Sequence, residues 1–222
     1  MSGPTKPCET DQEHASRDFM KDQATLSLTL SQRREEQLAR KALSRAGDPG
    51  LILDLPCGDG RFWPMLGEKP NRVIIAGDDS APAIAAASTR QPAGLAARIR
   101  PLQTTAFAID LPDNAVDSIF SMRMLHRVGD AGQRLKMLKE FHRVTRETLI
   151  VSLWIDGNFK SWKRKRLEQR RHVLAPRVEH NRFVIPRATV EAEFKQAGFR
   201  VQERLDAFPL YALWRVYVLC KA

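Results

Sequence analysis

The sequence predicts a single α/β domain built on a doubly wound, mostly parallel sheet of seven strands, in which the last strand is antiparallel. Short apolar runs alternate five times with longer stretches of helical spacing, as expected for consecutive strand–helix units. Two further apolar runs close the chain without a helix between them, which predicts an antiparallel pair. A chain of 222 residues is long enough to bury one core without disulfides or a structural metal.

Apolar periodicity and the usual end signals of helices locate the elements in order. Ser31 is a good N-cap for a first helix that ends near Gly47, and Pro82 suits the first turn of a later one. Strands are expected over residues 51–55, 72–76, 98–103, 115–122, 148–155, 199–205 and 213–220, and helices over 31–47, 81–89, 131–144 and 188–197. Residues 1–25 show no apolar periodicity and are predicted to be a mobile leader, so the domain covers 26–222.

An insertion over residues 156–187, between the fifth strand and the last helix, carries much of the positive charge. The chain has a net charge of +10, and residues 158–182 hold nine basic side chains against two acidic ones. Such a segment attracts phosphates, anionic lipid or nucleic acid, although it is also compatible with a solvated helix around residues 162–173. Phe159 and Trp162 interleave with these cations and either contact the partner or dock the helix on the core.

The cysteines and the apolar runs indicate where in the cell the protein is expected. Cys8, Cys57 and Cys220 are widely spaced and lack zinc-ligand spacing, which favours reduced thiols in the cytoplasm and no metal site. The sequence contains neither a signal-peptide core nor an apolar run of the roughly 20 residues that span a bilayer. A cytoplasmic protein is therefore expected, with peripheral membrane contact left open.

The segment DLPCGDGR, from Asp54 to Arg61, lies where the first strand leads into a helix and predicts a ligand-binding loop. Gly58 and Gly60 leave room for a ligand to approach the backbone. The dinucleotide fingerprint requires a third glycine where Trp63 stands, so a ligand without phosphates fits better.

Asp78 follows Gly60 by 18 residues, at the end of the second strand, where a carboxylate accepts hydrogen bonds from ribose hydroxyls. Alternatively, Asp78 caps the following helix, a role that Asp79 or Ser80 would also fill.

Four segments together resemble the class I S-adenosylmethionine-dependent methyltransferases, in particular the small-molecule branch related to ubiquinone biosynthesis. They are ILDLPCGDG at 52–60, IAGDDS at 75–80, LPDNAVD at 111–117 followed by MLHRV at 124–128, and QAGF at 196–199. The resemblance runs from about Ser31 to the C-terminus, excluding the basic insertion. It implies a Rossmann-like sheet and S-adenosyl-L-methionine as cofactor, with S-adenosyl-L-homocysteine as product.

The resemblance also implies a role for each matching position. The methionine end of the cofactor would lie on the loop, the ribose at the end of the second strand, the adenine after the third, and the transferred methyl after the fourth. In that order the residues are Asp54, Leu55, Pro56, Cys57, Gly58, Gly60 and Arg61; Asp78 with Asp79; Thr105, Ala106 and Phe107; and Ser121, Met122 and Arg123. Pro56 replaces the family's first loop glycine, and Thr105 stands where an acid usually meets the adenine amine.

Methyl transfer needs alignment at an activated sulfonium more than acid–base chemistry, so the absence of a catalytic triad is no objection. His126 is a candidate base for deprotonating the acceptor, or else a histidine that packs on the sheet. Arg123 is a candidate for holding an anionic acceptor, or else a surface residue.

Three functions are compatible with these features. The first is methylation of an anionic small molecule or lipid-linked acceptor, such as a phosphorylated lipid or glycolipid. The second is methylation of RNA, although the sequence shows no appended RNA-binding motif. The third is a non-catalytic protein that binds the cofactor and docks on a partner, which the changes at Pro56 and Thr105 favour.

Overall fold

The computed structural model describes residues 30–159, 163, 166, 182–208, 211 and 213–222. The chain divides into two units, Met1–Gln37 and Leu38–Ala222. In the first unit, residues 30–37 are helical. The second unit opens with helix α1, residues 38–45, which ends two residues before Gly47. Gly47 has a φ of 79°, so this helix ends at a left-handed glycine as predicted.

All seven predicted strands are present in one sheet. They are β1 (Leu51–Asp54), β2 (Val73–Asp78), β3 (Ile99–Gln103), β4 (Val116–Ser121), β5 (Thr145–Trp154), β6 (Phe199–Asp206) and β7 (Trp214–Lys221). Their order is β3-β2-β1-β4-β5-β7-β6, and β7 runs antiparallel to both of its neighbours while the other pairs are parallel. The chain changes direction across the sheet between β1 and β4. In this architecture, ligands bind at the carboxyl ends of the strands beside that point.

Helices cover both faces of the sheet. They are α2 (Trp63–Leu66), α3 (Ala81–Ser88), α4 (Ala93–Ala96), α5 (Ala131–Val144) and α6 (Arg187–Gln196), with a 3-10 turn at Leu125–Arg127. Ile52 of β1 packs in one buried cluster with side chains of α1 to α4, whereas its neighbour Leu53 packs in a second cluster with side chains of α5 and α6. Because successive strand residues point to opposite faces, both faces of the sheet are apolar and buried. The predicted doubly wound Rossmann-like fold is confirmed.

Two predicted segments fall mainly outside the described residues. These are the leader over 1–25 and most of the basic insertion over 156–187. The insertion returns to the sheet where Ile185 forms a parallel bridge to Ile155, just past β5. Among the helices that the structure describes, none has the length and apolar character needed to cross a bilayer.

Candidate active site

A cavity of about 560 Å³ lies at the carboxyl ends of β1, β2, β3 and β4, next to the change of direction in the sheet. Four loops line it, each following one of the first four strands. The lining residues are Leu55–Asp59, Arg61 and Phe62 after β1; Asp78, the last residue of β2, and Asp79 after it; Thr104–Phe107 after β3; and Met122–Met124, Arg127 and Val128 after β4.

Two backbone hydrogen bonds hold the glycine loop against the end of β2. The Cys57 N–H donates to the carbonyl of Gly77 at 2.8 Å, and the Gly58 N–H donates to the Asp78 carboxylate at 2.9 Å. Gly58 has a φ of 53°, and a Cβ added there would meet no atom within 4 Å. The loop therefore presents an open backbone surface at this residue.

Gly60, unlike Gly58, lies against a side chain, the ring of Trp63. Its φ is 72°, and an added Cβ would lie only 2.6 Å from the Trp63 ring. The indole N–H of Trp63 donates to the Asp54 carboxylate at 2.9 Å, and both side chains are buried. Burial raises the pKa of Asp54 to about 8, although the Trp63 hydrogen bond opposes that shift. Asp54, Gly60 and Trp63 thus form a packed support beneath the loop.

The carboxylate of Asp78 connects the loop to the end of β2. Besides the bond from Gly58, it accepts the Ser80 N–H at 3.2 Å, and the residue is 9% exposed. Ser80 is the N-cap of α3, because its hydroxyl accepts the Ala83 N–H at 3.3 Å. Asp78 is therefore not the helix cap. Each carboxylate oxygen retains a further acceptor position for a ligand.

The loop after β3 supplies a further part of the cavity wall. The hydroxyl of Thr104 donates to the carbonyl of Ala108 at 3.2 Å and accepts the Asp110 N–H at 3.0 Å. These bonds fix a tight turn that brings Thr105, Ala106 and Phe107 to the cavity. Thr105 is exposed and Phe107 is half-buried, so a hydroxyl and an aromatic ring line this wall.

The loop after β4 places cations at the cavity. Arg123 has a φ of 62°, and its backbone N–H donates to the Ser152 hydroxyl at 2.8 Å. Its side chain is exposed and lies 5.9 Å from the ring centroid of Trp214. Arg127, four residues later, is also exposed and lines the cavity.

His126 is 2% exposed and packs among aromatic rings. Its ring stacks on Trp154 at a centroid distance of 5.1 Å and meets Trp214 edge-on at 5.3 Å. Burial, followed by the positive charges of Arg127, Arg182 and Arg123, lowers its pKa to about 3. His126 is therefore neutral at physiological pH.

A comparison with known protein families finds a match for part of the chain. Residues 52–148 match the sequence profile of the family described as "Methyltransferase domain". This part of the chain is therefore similar to a methyltransferase domain. This confirms the predicted family, while its branch remains a prediction. A search of the curated proteins found no significant match.

Solved structures share the fold of this methyltransferase domain at low sequence identity. A possible exported protein from Bordetella parapertussis aligns with a TM-score of 0.69 and 19% identity, over 85% of this chain and 67% of its own. Magnesium protoporphyrin IX methyltransferase from Synechocystis, with bound SAH, aligns with a TM-score of 0.69 and 15% identity, over 86% and 84%. An O-methyltransferase from neocarzinostatin biosynthesis, in complex with S-adenosylmethionine and a naphthoic acid, aligns with a TM-score of 0.56 and 15% identity, over 78% and 49%.

Within the methyltransferase domain, the structure brings most of the predicted site residues to one cavity. Those that line it are Leu55, Pro56, Cys57, Gly58, Arg61, Asp78, Asp79, Thr105, Ala106, Phe107, Met122 and Arg123. Those that do not are Asp54, Gly60, Ser121 and His126, the first two because they support the loop. Ser121 is 1% exposed within the sheet, and His126 packs behind the cavity loop, so its role as a base remains a prediction.

Sequence reasoning missed six of the lining residues in this methyltransferase domain, namely Asp59, Phe62, Thr104, Met124, Arg127 and Val128. Asp59 and Phe62 stand inside or beside the predicted loop, so the motif itself was a signal for them. Arg127 and Val128 belong to the MLHRV segment, but their exposure at the cavity depends on the 3-10 turn. No pattern in the sequence marks that turn.

Proposed function

We propose that this protein is an S-adenosylmethionine-dependent methyltransferase that acts on an anionic small molecule or lipid-linked acceptor. One observation carries the proposal: a single cavity at the change of direction in the sheet joins the open backbone at Gly58, the Asp78 carboxylate and the Thr105–Phe107 wall. The coarse activity agrees with the methyltransferase family match.

The residues at the cavity fit this cofactor. A volume of about 560 Å³ is in the range of small-molecule sites. Gly58 offers close backbone approach, Asp78 has acceptor capacity for two ribose hydroxyls, and Phe107 offers a ring face to a flat base. Two solved structures of the magnesium protoporphyrin IX methyltransferase hold SAH and SAM, which supports the same cofactor here.

In this proposal the protein contributes binding and alignment. The bound cofactor supplies a methyl group already activated for displacement. The bond between Gly58 and Asp78 keeps the loop and the ribose-binding carboxylate in fixed relation, so neither has to reorganise during the reaction. Met122 and Phe107 add apolar groups to the cavity wall, where they would limit the access of water to the line of transfer.

The charges at the cavity support an anionic acceptor. Arg123 and Arg127 follow β4, where the resemblance places the transferred methyl, and both side chains are exposed at the cavity. The acids of the cavity, Asp59, Asp78 and Asp79, lie on the loops after β1 and β2 instead. An acceptor with a carboxylate or phosphate would therefore be held at the arginine end. The naphthoic acid in the neocarzinostatin enzyme supports a small anionic acceptor in this fold.

Incubation of a cell extract with the protein and S-adenosylmethionine labelled on the methyl group tests the proposal. Mass spectrometry should find label in an acidic small molecule or lipid, and an Asp78→Ala variant should transfer much less. Label in RNA would support the RNA methyltransferase instead. No label in any fraction, with cofactor binding intact, would contradict an enzyme and support the non-catalytic alternative.

A further inference from the structure

Exposed aromatic side chains gather at one edge of the second unit, which we call the aromatic edge: Phe159, Phe183, Phe208 and Tyr211. They are 51%, 41%, 54% and 51% exposed. Among the residues that the structure describes, Leu30 is the only other large hydrophobic side chain with a comparable exposed fraction, 64%. Four rings out of five such residues at one edge are a local concentration and not the scattered exposure that is normal for a soluble surface.

The sheet topology explains why these rings share an edge. Phe159 follows the carboxyl end of β5, and Phe208 and Tyr211 lie between the end of β6 and the start of β7. Because β6 is parallel to β5 and β7 runs the opposite way, all three positions fall at the carboxyl edge of the sheet. This is also the edge at which the cavity lies.

Contacts join the aromatic edge to the cavity. Phe159 stacks on Tyr211 at a centroid distance of 6.0 Å and an interplanar angle of 9°. The Phe183 N–H donates to the carbonyl of His126 at 2.7 Å, and its ring lies where a Cβ on Gly129 would be 2.7 Å away. Phe183 therefore packs on the loop that carries Arg127 and Val128 into the cavity lining.

Positive charge also lies at this edge of the sheet. Arg123 and Arg127 line the cavity there, and Arg182 lies 5.6 Å from the ring centroid of Trp154, the last residue of β5. Two of the nearby acids are engaged by the protein: Asp206 pairs with Arg215 at 2.6 Å, and Asp156 accepts the Arg187 N–H at 3.0 Å. The segment from 158 to 182 also carries nine basic and two acidic residues in sequence. The aromatic edge is thus complementary to a negatively charged surface.

We propose that the aromatic edge docks on an anionic phospholipid bilayer. Aromatic rings partition to the boundary between headgroups and acyl chains, and nearby Lys and Arg bind anionic headgroups. Single-stranded nucleic acid is the competing partner, since bases also stack on exposed rings. The bilayer is favoured because three of the four rings are phenylalanine, which gains from an apolar phase, and because Phe159 and Tyr211 already cover one face of each other.

Docking at this edge also bears on the acceptor, and that part rests on the proposed function. The cavity would face the headgroup layer, so the acceptor class is an amphipathic molecule whose acidic head reaches Arg123 and Arg127 while its apolar part stays in the bilayer. Such an acceptor would be methylated faster when it is embedded in anionic vesicles than when it is dissolved in buffer without vesicles.

Co-sedimentation with vesicles tests the docking without cofactor or acceptor. The wild-type protein should bind vesicles of equimolar phosphatidylcholine and phosphatidylserine, and bind phosphatidylcholine alone only weakly. A triple variant, Phe159→Ser, Phe208→Ser and Tyr211→Ser, should bind anionic vesicles roughly tenfold less tightly or worse. Phe183 is left unchanged because it packs on Gly129. Leu30→Ser is the matched control, which replaces an apolar side chain of the first unit that is at least as exposed, and it should bind as wild type does.

Two results would overturn the proposal: no binding of wild type to anionic vesicles, whether or not it binds single-stranded RNA, or a triple variant that binds as wild type. Calorimetry with S-adenosylhomocysteine shows whether the triple variant retains a folded cofactor cavity, because none of the three residues lines it. If that variant does not fold, vesicles with brominated acyl chains test the docking on the wild-type protein alone. Docking should quench its tryptophan fluorescence, and unchanged fluorescence would contradict the proposal. Failure of vesicle binding with intact cofactor binding would leave the proposed function standing.

Discussion

At the scale of single residues, the two loop glycines show what a motif can and cannot predict. The sequence predicts that both Gly58 and Gly60 leave room for a ligand. The structure supports this for Gly58, which faces open space, whereas Gly60 makes room for the Trp63 ring. The ring lies there because its N–H reaches the buried Asp54, a contact that no spacing rule reveals. The motif predicts where the loop lies, but which of its glycines faces the cavity depends on this tertiary contact.

Alanine substitutions should separate the two glycines. Each places a side chain at a positive φ, at a cost of about 1–2 kcal/mol. Gly60→Ala should lose a further 1–3 kcal/mol, roughly, because the methyl group collides with Trp63. Gly58→Ala should instead weaken cofactor binding, since its methyl group enters the cavity. Urea denaturation measures the loss of stability in both variants, and calorimetry measures their affinity for the cofactor. Equal losses of stability would contradict the different roles assigned to Gly58 and Gly60.

The buried Asp54 predicts a pH dependence of stability. Burial raises its pKa from 3.8 to about 8, so between these values the folded protein holds a proton that the unfolded chain has released. The contribution of Asp54 to the free energy of unfolding should therefore be greatest below pH 4 and fall as pH rises towards 8. Asp54→Asn keeps an acceptor for Trp63 and lacks this titration. Relative to this variant, the free energy of unfolding of the wild type should fall by on the order of a few kcal/mol between pH 4 and pH 8. Denaturation experiments at several pH values measure this difference, and the same pH dependence in both proteins would refute the shift.

At the scale of elements, the sequence predicts the apolar part of each strand. It does not predict the residues at the ends that join a strand only by pairing with a neighbouring strand. β2 was expected to end at residue 76, but it continues to Asp78 because Gly77 and Asp78 pair with Leu102 and Gln103 of β3. β5 was expected to begin at residue 148, but it begins at Thr145, directly after α5, because Thr145 pairs with Val116. The short helix α4, Ala93–Ala96, was not predicted, since four residues carry no periodic pattern.

Helices α5 and α6 are joined by a buried ion pair that offers a test of their packing. The Arg134 guanidinium donates to both oxygens of Glu193, at 2.5 and 2.9 Å, and also to the carbonyls of Val128 and Gly129. Arg134→Leu should lower the free energy of unfolding by about 3–5 kcal/mol, because it leaves Glu193 buried without its partner.

The double variant Arg134→Leu, Glu193→Leu serves as the control for that pair. It removes both charges together, so it should recover much of the stability that Arg134→Leu loses. Chemical denaturation of the wild type, the single variant and the double variant measures the difference. A double variant no more stable than the single one would mean that the bonds from Arg134 to Val128 and Gly129 matter more than the ion pair.

At the scale of the whole molecule, the fold brings four loops, distant in sequence, to one cavity. The βα alternation predicts this convergence, since the carboxyl ends of parallel strands meet at one edge of a sheet. The sequence could not predict that Phe159, Phe208 and Tyr211 would gather at that edge, because their proximity depends on where β7 inserts between β5 and β6. Charge density marked the basic insertion, but the aromatic edge became visible only in three dimensions.

The binding of S-adenosylmethionine tests the central claim most directly, measured by titration calorimetry on wild type, Asp78→Ala and Asp113→Ala. Asp113 is the control because its exposed carboxylate pairs with Arg143 and does not line the cavity. Wild type and Asp113→Ala should bind equally. Asp78→Ala should bind more weakly by about 1.5–3 kcal/mol, or roughly ten- to 150-fold, because it loses charged hydrogen bonds to the ligand. No heat with wild type at high cofactor concentration, or equal affinity in Asp78→Ala, would contradict the account.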